Sequence, residues 1–161
     1  MNLNELAVRE GDYAPDFLFD DHGGKKIKLS DFRGKRAVVY FYPKDFTPGC
    51  STEAAEFASD YNKFKAENIE IIGVSSDDSE SHLKFRKKMN ISYFLVSDTD
   101  FVISKRYGVY GPKMFMGKEY MGINRTTFLV DRNGVVFKIF DKVKPLGHSH
   151  EVLQEFKGLE P

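Results

Sequence analysis

The chain has one cysteine, no tryptophan and six prolines in 161 residues. No apolar run approaches the roughly 18 residues that suggest a membrane span. A single cysteine cannot form an intrachain disulfide, which excludes a disulfide-stapled scaffold and fits a reducing, cytoplasmic setting. Charge of one sign is also lacking: 24 Lys and Arg against 24 Asp and Glu give a formal net charge of +0. A neutral chain has no overall electrostatic reason to seek nucleic acid or an anionic membrane. The basic run Lys84–Lys88 is read as a solvated helix face. The opening MNLNELAVREGD has neither a basic n-region nor an apolar stretch, so no secretory signal is expected. With no repeat, low-complexity tract or linker, residues 1–161 are read as a single domain, large enough to bury a core.

Segments with strand and helix periods alternate along the chain. Phe17–Asp20 and Lys26–Leu29 flank Asp21–His22–Gly23–Gly24, an N-terminal hairpin signal. Ala37–Tyr42 is continuously β-branched, aromatic or apolar, as in a strand covered on both faces. From about Pro48 the period changes, and Ala54, Phe57, Ala58, Tyr61 and Phe64 mark one face of a helix. Ile69–Val74 reads as the next buried strand. Asp77 and Glu80 then resemble a capping box opening a helix through Met89. A strand at Tyr93–Val96 and a short helix near Phe101–Tyr107 follow, then a connection from Gly108 to Asn124. Thr126–Val130 and Val135–Phe140 flank Asp131–Arg132–Asn133–Gly134, a strong hairpin signal. Ser149 is placed as the cap of a last helix carrying Val152, Leu153 and Phe156. The order predicts an α/β domain around one mixed sheet.

The chemistry concentrates around the lone thiol. Thr47 suits an N-cap and Pro48 the first helical position, which puts Cys50 in the first turn, at about N3. The free amides of Gly49, Cys50 and Ser51 would then form an anion site, with Gly49 leaving the approach open. Only the thiolate is a nucleophile, and a free thiol is a few per cent ionised at neutral pH. Keeping most of it ionised takes roughly 3.4 kcal/mol of preference for the anion. A helix N-terminus supplies about 0.3–2 kcal/mol. A nearby cation is therefore expected, and arginine is preferred, because a planar fork reaches both the sulfur and a substrate oxygen. The plain alternative is a small buried hydrophobe, but the cap, proline and glycine favour an exposed anion.

Pro43-x-x-x-Thr47-x-x-Cys50 resembles the peroxiredoxin signature P-x-x-x-T-x-x-C, and FYPKDFTPGCSTEA looks like the bacterioferritin comigratory protein branch, also called PrxQ. The resemblance covers nearly the whole chain, through Gly11–Phe17, Ser81–His82, Ser97–Asp98, Gly122–Asp131 and Gly147–His148. It implies a thioredoxin-like fold and a peroxidatic role for Cys50, which would reduce hydrogen peroxide and organic hydroperoxides through a sulfenic acid. It assigns the expected cation to Arg125, orientation of the peroxide to Thr47, and shielding of the sulfur to Pro43. No cofactor is implied. His82, His148 and His150 show no zinc-type pattern, so no metal is expected. Glu53 has two readings: a partner of the active-site arginine, or a first-turn acid favoured by the helix dipole, the plainer of the two.

One departure matters. Many members of the branch carry a second cysteine five residues after the first, where this chain has Ala55. The resemblance then implies one-cysteine chemistry, with the reductant supplied from outside by a thioredoxin-like protein, a small thiol, or a Cys50–Cys50 bond between two chains. The branch is often monomeric, and a monomer is expected. A thioredoxin-type reductase is disfavoured, because Thr47 stands where C-x-x-C needs its first thiol. A non-catalytic redox sensor using Cys50 oxidation remains as the alternative. Met114, Phe115, Met116 and Met121 either rim an apolar pocket or pack under a loop.

Overall fold

A computed structural model describes residues 7–158. An N-terminal hairpin, β1 (Leu18–Asp20) and β2 (Lys26–Lys28), leads through a 3-10 turn at Leu29–Phe32 into β3 (Arg36–Phe41). Then come α1 (Pro48–Ala66), β4 (Ile69–Ser75), α2 (Ser79–Met89), β5 (Phe94–Ser97) and α3 (Val102–Arg106). A second hairpin, β6 (Tyr110–Phe115) and β7 (Lys118–Ile123), precedes β8 (Thr126–Val130), β9 (Val136–Phe140) and α4 (His148–Lys157). The central sheet is five-stranded in the order β5-β4-β3-β8-β9. β3 runs parallel to β4 and antiparallel to β8, so the sheet is mixed as expected, and its fold is thioredoxin-like.

Every residue of β3 is buried because the sheet is covered on both faces. Alternation assigns them: Val38, Tyr40 and Tyr42 join Phe57, Phe64, Phe85 and Phe156 under α1, α2 and α4. Ala37, Val39 and Phe41 join Phe17, Phe19, Tyr107 and Phe128 on the opposite face. The β8–β9 turn fits its sequence: Asp131 Oδ1 accepts from the amides of Asn133 and Val135, and Gly134 takes φ 84°. At the outer strand, the Leu95 amide donates to His22 Nε2 at 3.3 Å. Burial pushes that imidazole down to about 4, which keeps Nε2 a free acceptor at neutral pH.

Three local expectations are corrected. The cap of α2 is Asp78, whose carboxylate accepts from the Ser81 amide, while Asp77 is taken up by Ser75 and the Asp45 amide. The cap of α4 is Gly147, and Ser149 lies inside the helix with its hydroxyl donating to Asp60 on α1. The segment Gly108–Asn124, read as a connection, contains the β6–β7 hairpin. Among the described residues no helix is long and apolar enough to cross a membrane.

Candidate active site

α1 begins as its sequence dictates: Thr47 has extended cap dihedrals, Pro48 is the first helical residue, and Cys50 follows at N3. The Ser51 amide donates to the Thr47 carbonyl at 2.8 Å. It is therefore not free, and only the Gly49 and Cys50 amides lie outside the helical ladder. The Thr47 hydroxyl does not cap the helix; it donates to the Lys44 carbonyl at 2.9 Å and ties the preceding loop into a turn. Pro43 is half-buried at the exit of β3.

Arg125 reaches this helix end because of sheet register. Phe41 pairs with Thr126, so the residue before β8 lies across from the residue after β3. The Arg125 carbonyl accepts from the Val143 amide at 3.2 Å, which fixes its backbone. Nη2 donates to Cys50 Sγ at 3.2 Å and Nη1 to Glu53 Oε1 at 2.7 Å. Cys50 and Glu53 are three apart on α1 and share a face, so one planar fork spans both. Gly49 leaves room for it: a Cβ there would lie 3.1 Å from Arg125 Nη2 and 3.4 Å from Pro145 Cγ.

Burial sets the electrostatics. The Glu53 side chain is fully buried, and its Oε2 has no hydrogen-bond partner among the described residues. Desolvation pushes its carboxyl up to about 7, against the pull of Arg125. Burial also opposes the Arg125 charge, but the proximity of and hydrogen bonds to the Glu53 carboxyl and the Cys50 sulfur hold the guanidinium above its ordinary value. Lys113 on β6, which no local sequence signal placed here, is half-buried with Nζ donating to the Ile123 carbonyl at 2.8 Å. Desolvation and the Arg125 charge lower it.

The site residues thus divide. Cys50 and Arg125 are brought together, with Glu53 as a third member, and the plain helix-dipole reading of Glu53 fails. Among the described residues no hydrogen bond joins Thr47 or Pro43 to the sulfur. The expectation of an exposed thiol is corrected: Cys50 is 1% exposed and belongs to the core around Tyr42, Ala54 and Phe57. The Arg125 guanidinium also lies against the sulfur, at 3.2 Å. Met114, Phe115, Met116 and Met121 pack under nothing; they are exposed on the β6–β7 hairpin. A groove of about 520 Å³ lies away from Cys50, between the N-terminal hairpin and α2.

Known proteins share this arrangement of chain. The AhpC/TSA family pattern matches residues 11–139. Peroxiredoxin Bcp of Bacillus subtilis is 42% identical over 96% of this chain and 98% of its own length. Peroxiredoxin Bcp of Escherichia coli K12 is 38% identical over 93% and 96%. Among solved structures, a cysteine-to-serine mutant of Xylella fastidiosa PrxQ matches with TM-score 0.87 and 34% identity, over 94% of this chain and 96% of that one. A Xanthomonas campestris bacterioferritin comigratory protein, described for its alkyl peroxide reduction activity, matches with TM-score 0.82 and 37% identity, over 88% and 90%. The chain belongs to the AhpC/TSA family, in its Bcp/PrxQ peroxiredoxin branch.

Proposed function

We propose that Cys50 is the peroxidatic cysteine of this thiol peroxidase and that it works by a one-cysteine cycle. The Cys50 thiolate attacks the hydroxyl oxygen of a hydroperoxide. The S–O bond forms as the O–O bond breaks, leaving Cys50–SOH and an alkoxide or hydroxide that takes a proton from water. Arg125 holds the sulfur and donates to the oxygens as charge moves onto them. Thr47 orients the peroxide, and Pro43 shields the sulfur. An external thiol, from a thioredoxin-like protein or a small molecule, then displaces water to give a mixed disulfide. A second thiol releases Cys50 and carries off the disulfide. Hydrogen peroxide and organic hydroperoxides are the substrates, the latter in keeping with the alkyl peroxide reduction described for the Xanthomonas relative.

The observation that carries this reading is the Arg125 Nη2 contact with Sγ at 3.2 Å, braced by Glu53. Cys50, Arg125 and Glu53 all come from one chain, so the cycle needs no second copy, and a cytoplasmic, single-domain monomer fits it. Titrating reduced protein with peroxide and trapping with a sulfenic-acid probe tests it: one equivalent is consumed, and none by Cys50→Ser. With a dithiol supplied, consumption continues; a redox sensor would stop after one equivalent.

A further inference from the structure

Two features of the helix start leave a Cys50 thiolate short of positive charge. The Ser51 amide is taken by the Thr47 carbonyl at 2.8 Å, so one expected donor is gone. Arg125 divides its fork, with Nη2 on the sulfur at 3.2 Å and Nη1 on Glu53 at 2.7 Å. A guanidinium shared with a second acid gives the thiolate less than its whole field. A further cation close by would make up the difference.

Lys113 is placed for that by the register of the β6–β7 hairpin. It pairs with Tyr120, while Met114 pairs with Glu119, the one acid in the hairpin. Neighbours on a strand point to opposite faces, so Glu119 lies on the face away from Lys113. Tyr120 and, two residues along, Lys118 share its face from β7, and neither offers a carboxylate. Gly122 leaves the stem its path: a Cβ there would lie 3.2 Å from Lys113 Cδ. Nζ donates at 2.8 Å to the carbonyl of Ile123, the second residue before Arg125. That bond holds the ammonium near enough for both Arg125 and Cys50 to act on its charge. Among the described residues no carboxylate pairs with it, and its other N–H groups have no protein acceptor. Desolvation opposes its charge first and Arg125 second, whereas Cys50 favours it. A half-buried ammonium without a carboxylate needs some other anion to offset its burial. The thiolate is the anion at hand.

We infer that Lys113 is the second cation of the site, whose ammonium holds Cys50 as a thiolate jointly with Arg125. The inference rests on Cys50 being the peroxidatic residue. The two cations differ in task. Arg125 touches the sulfur and fixes a direction, as a planar fork does. Lys113 adds charge alone, as a point charge on a flexible stem does. With it, thiolate, Glu53 carboxylate, guanidinium and ammonium come to balance, so ionisation of Glu53 need not cost the sulfur its proton-free state. The competing account of Lys113 is a bolt that fastens the hairpin to Ile123.

The test takes two readings on the full chain across a pH series from about 5.5 to 9.5. One is the thiolate absorbance near 240 nm, as a difference from Cys50→Ser; the other is the rate of sulfenic acid formation with limiting peroxide. Lys113→Met keeps the stem over Gly122 and removes the charge. At pH 6.5 it should lower both readings by about threefold or more, the low end of what losing one opposite charge does. The deficit should close by pH 9.5, where a thiol ionises without help. Lys113→Arg, which keeps the charge, should recover most of both readings. Lys113→Gln, neutral but still a donor to a carbonyl, should match Lys113→Met, and it carries the comparison where Lys113→Met does not fold. Recovery by Lys113→Gln, or a loss in Lys113→Met that persists at pH 9.5, is the behaviour of a bolt and overturns the inference. So does a peroxide rate that falls with the thiolate signal intact, or no change in either. Cys50→Ser separates the two claims: peroxide consumption by that variant sinks the peroxidatic reading, whereas its inactivity beside a parent-like Lys113→Met sinks the second cation alone.

Discussion

Replacing Glu53 by Gln should make the protein's stability less dependent on pH, and the size follows from burial. The Glu53 carboxyl is pushed up to about 7 from an ordinary 4.5, first by desolvation and only partly countered by Arg125. Below about pH 4.5 the acid is neutral in both folded and unfolded chains, and it imposes no charge-burial cost. As pH rises, the unfolded chain loses its proton first, which favours unfolding, and the difference grows until the folded state also ionises near 7. The shift corresponds to about 3 kcal/mol, lost by the parent across that window and not by the glutamine variant. Urea unfolding of both proteins at intervals between pH 4 and 8, taken as a difference, isolates this group from every other titration. The curve should rise in favour of Glu53→Gln as pH increases, then level off above 7. A difference that stays flat, or falls, would refute the buried-acid reasoning.

Arg125→Lys should slow sulfenic acid formation by about 10²-fold in stopped-flow trapping, because an ammonium is a point charge and cannot span Sγ and Oε1 in one plane. Parent-like rates would remove the fork from the chemistry. Gly73→Ala should destabilise by about 1–3 kcal/mol in denaturant titration, since the added Cβ would stand 2.8 Å from the Tyr40 ring and 3.0 Å from Leu95 Cδ2. The Tyr40 ring has little room to give, being hydrogen-bonded to Tyr93 at 2.6 Å and stacked on Phe57. Tyr93→Phe should cost more than Tyr40→Phe: Tyr93 both meets the Tyr40 hydroxyl and donates to the Ala54 carbonyl, so its loss strands two partners instead of one.

Sequence signals worked where the controlling interaction is local. The helix start at Pro48, the buried strand read at Ala37–Tyr42 and found at Arg36–Phe41, and the Asp131–Gly134 turn each depend on residues within a few positions. They failed where a distant group claims a side chain. Asp77 and Asp78 are equally good caps by type, and only the Asp45 amide and Ser75, which engage Asp77, decide between them. The β6–β7 hairpin was hidden because Pro112, Gly111 and Gly122 break the strand pattern. Its turn uses Met116 at φ 50° with Gly117 at φ 79°, not the usual Asn-Gly. Cys50 was expected open because helix-end rules count free amides; they carry no information about the core side chains and the guanidinium that pack against the thiol. Glu53 meets an arginine 72 residues away, and i to i+3 spacing said only that it shares a face with the thiol.

That pairing bears on how a guanidinium can serve the sulfur at all. A fully ionised carboxylate 2.7 Å from Arg125 would orient it but also cancel much of the charge the thiolate needs. An apolar neighbour would leave the charge whole and the fork free to swing. A buried acid whose ionisation desolvation opposes does both tasks. Its Oε1 accepts from Nη1 in either protonation state, so the direction is kept, while desolvation works against the negative charge that would oppose the guanidinium. Oε2 has no partner among the described residues, so no donor offsets the desolvation that disfavours the anion. Supplying that oxygen with a donor would turn an orienting group into a neutralising one, and the thiol would lose reactivity with every contact to Arg125 still in place.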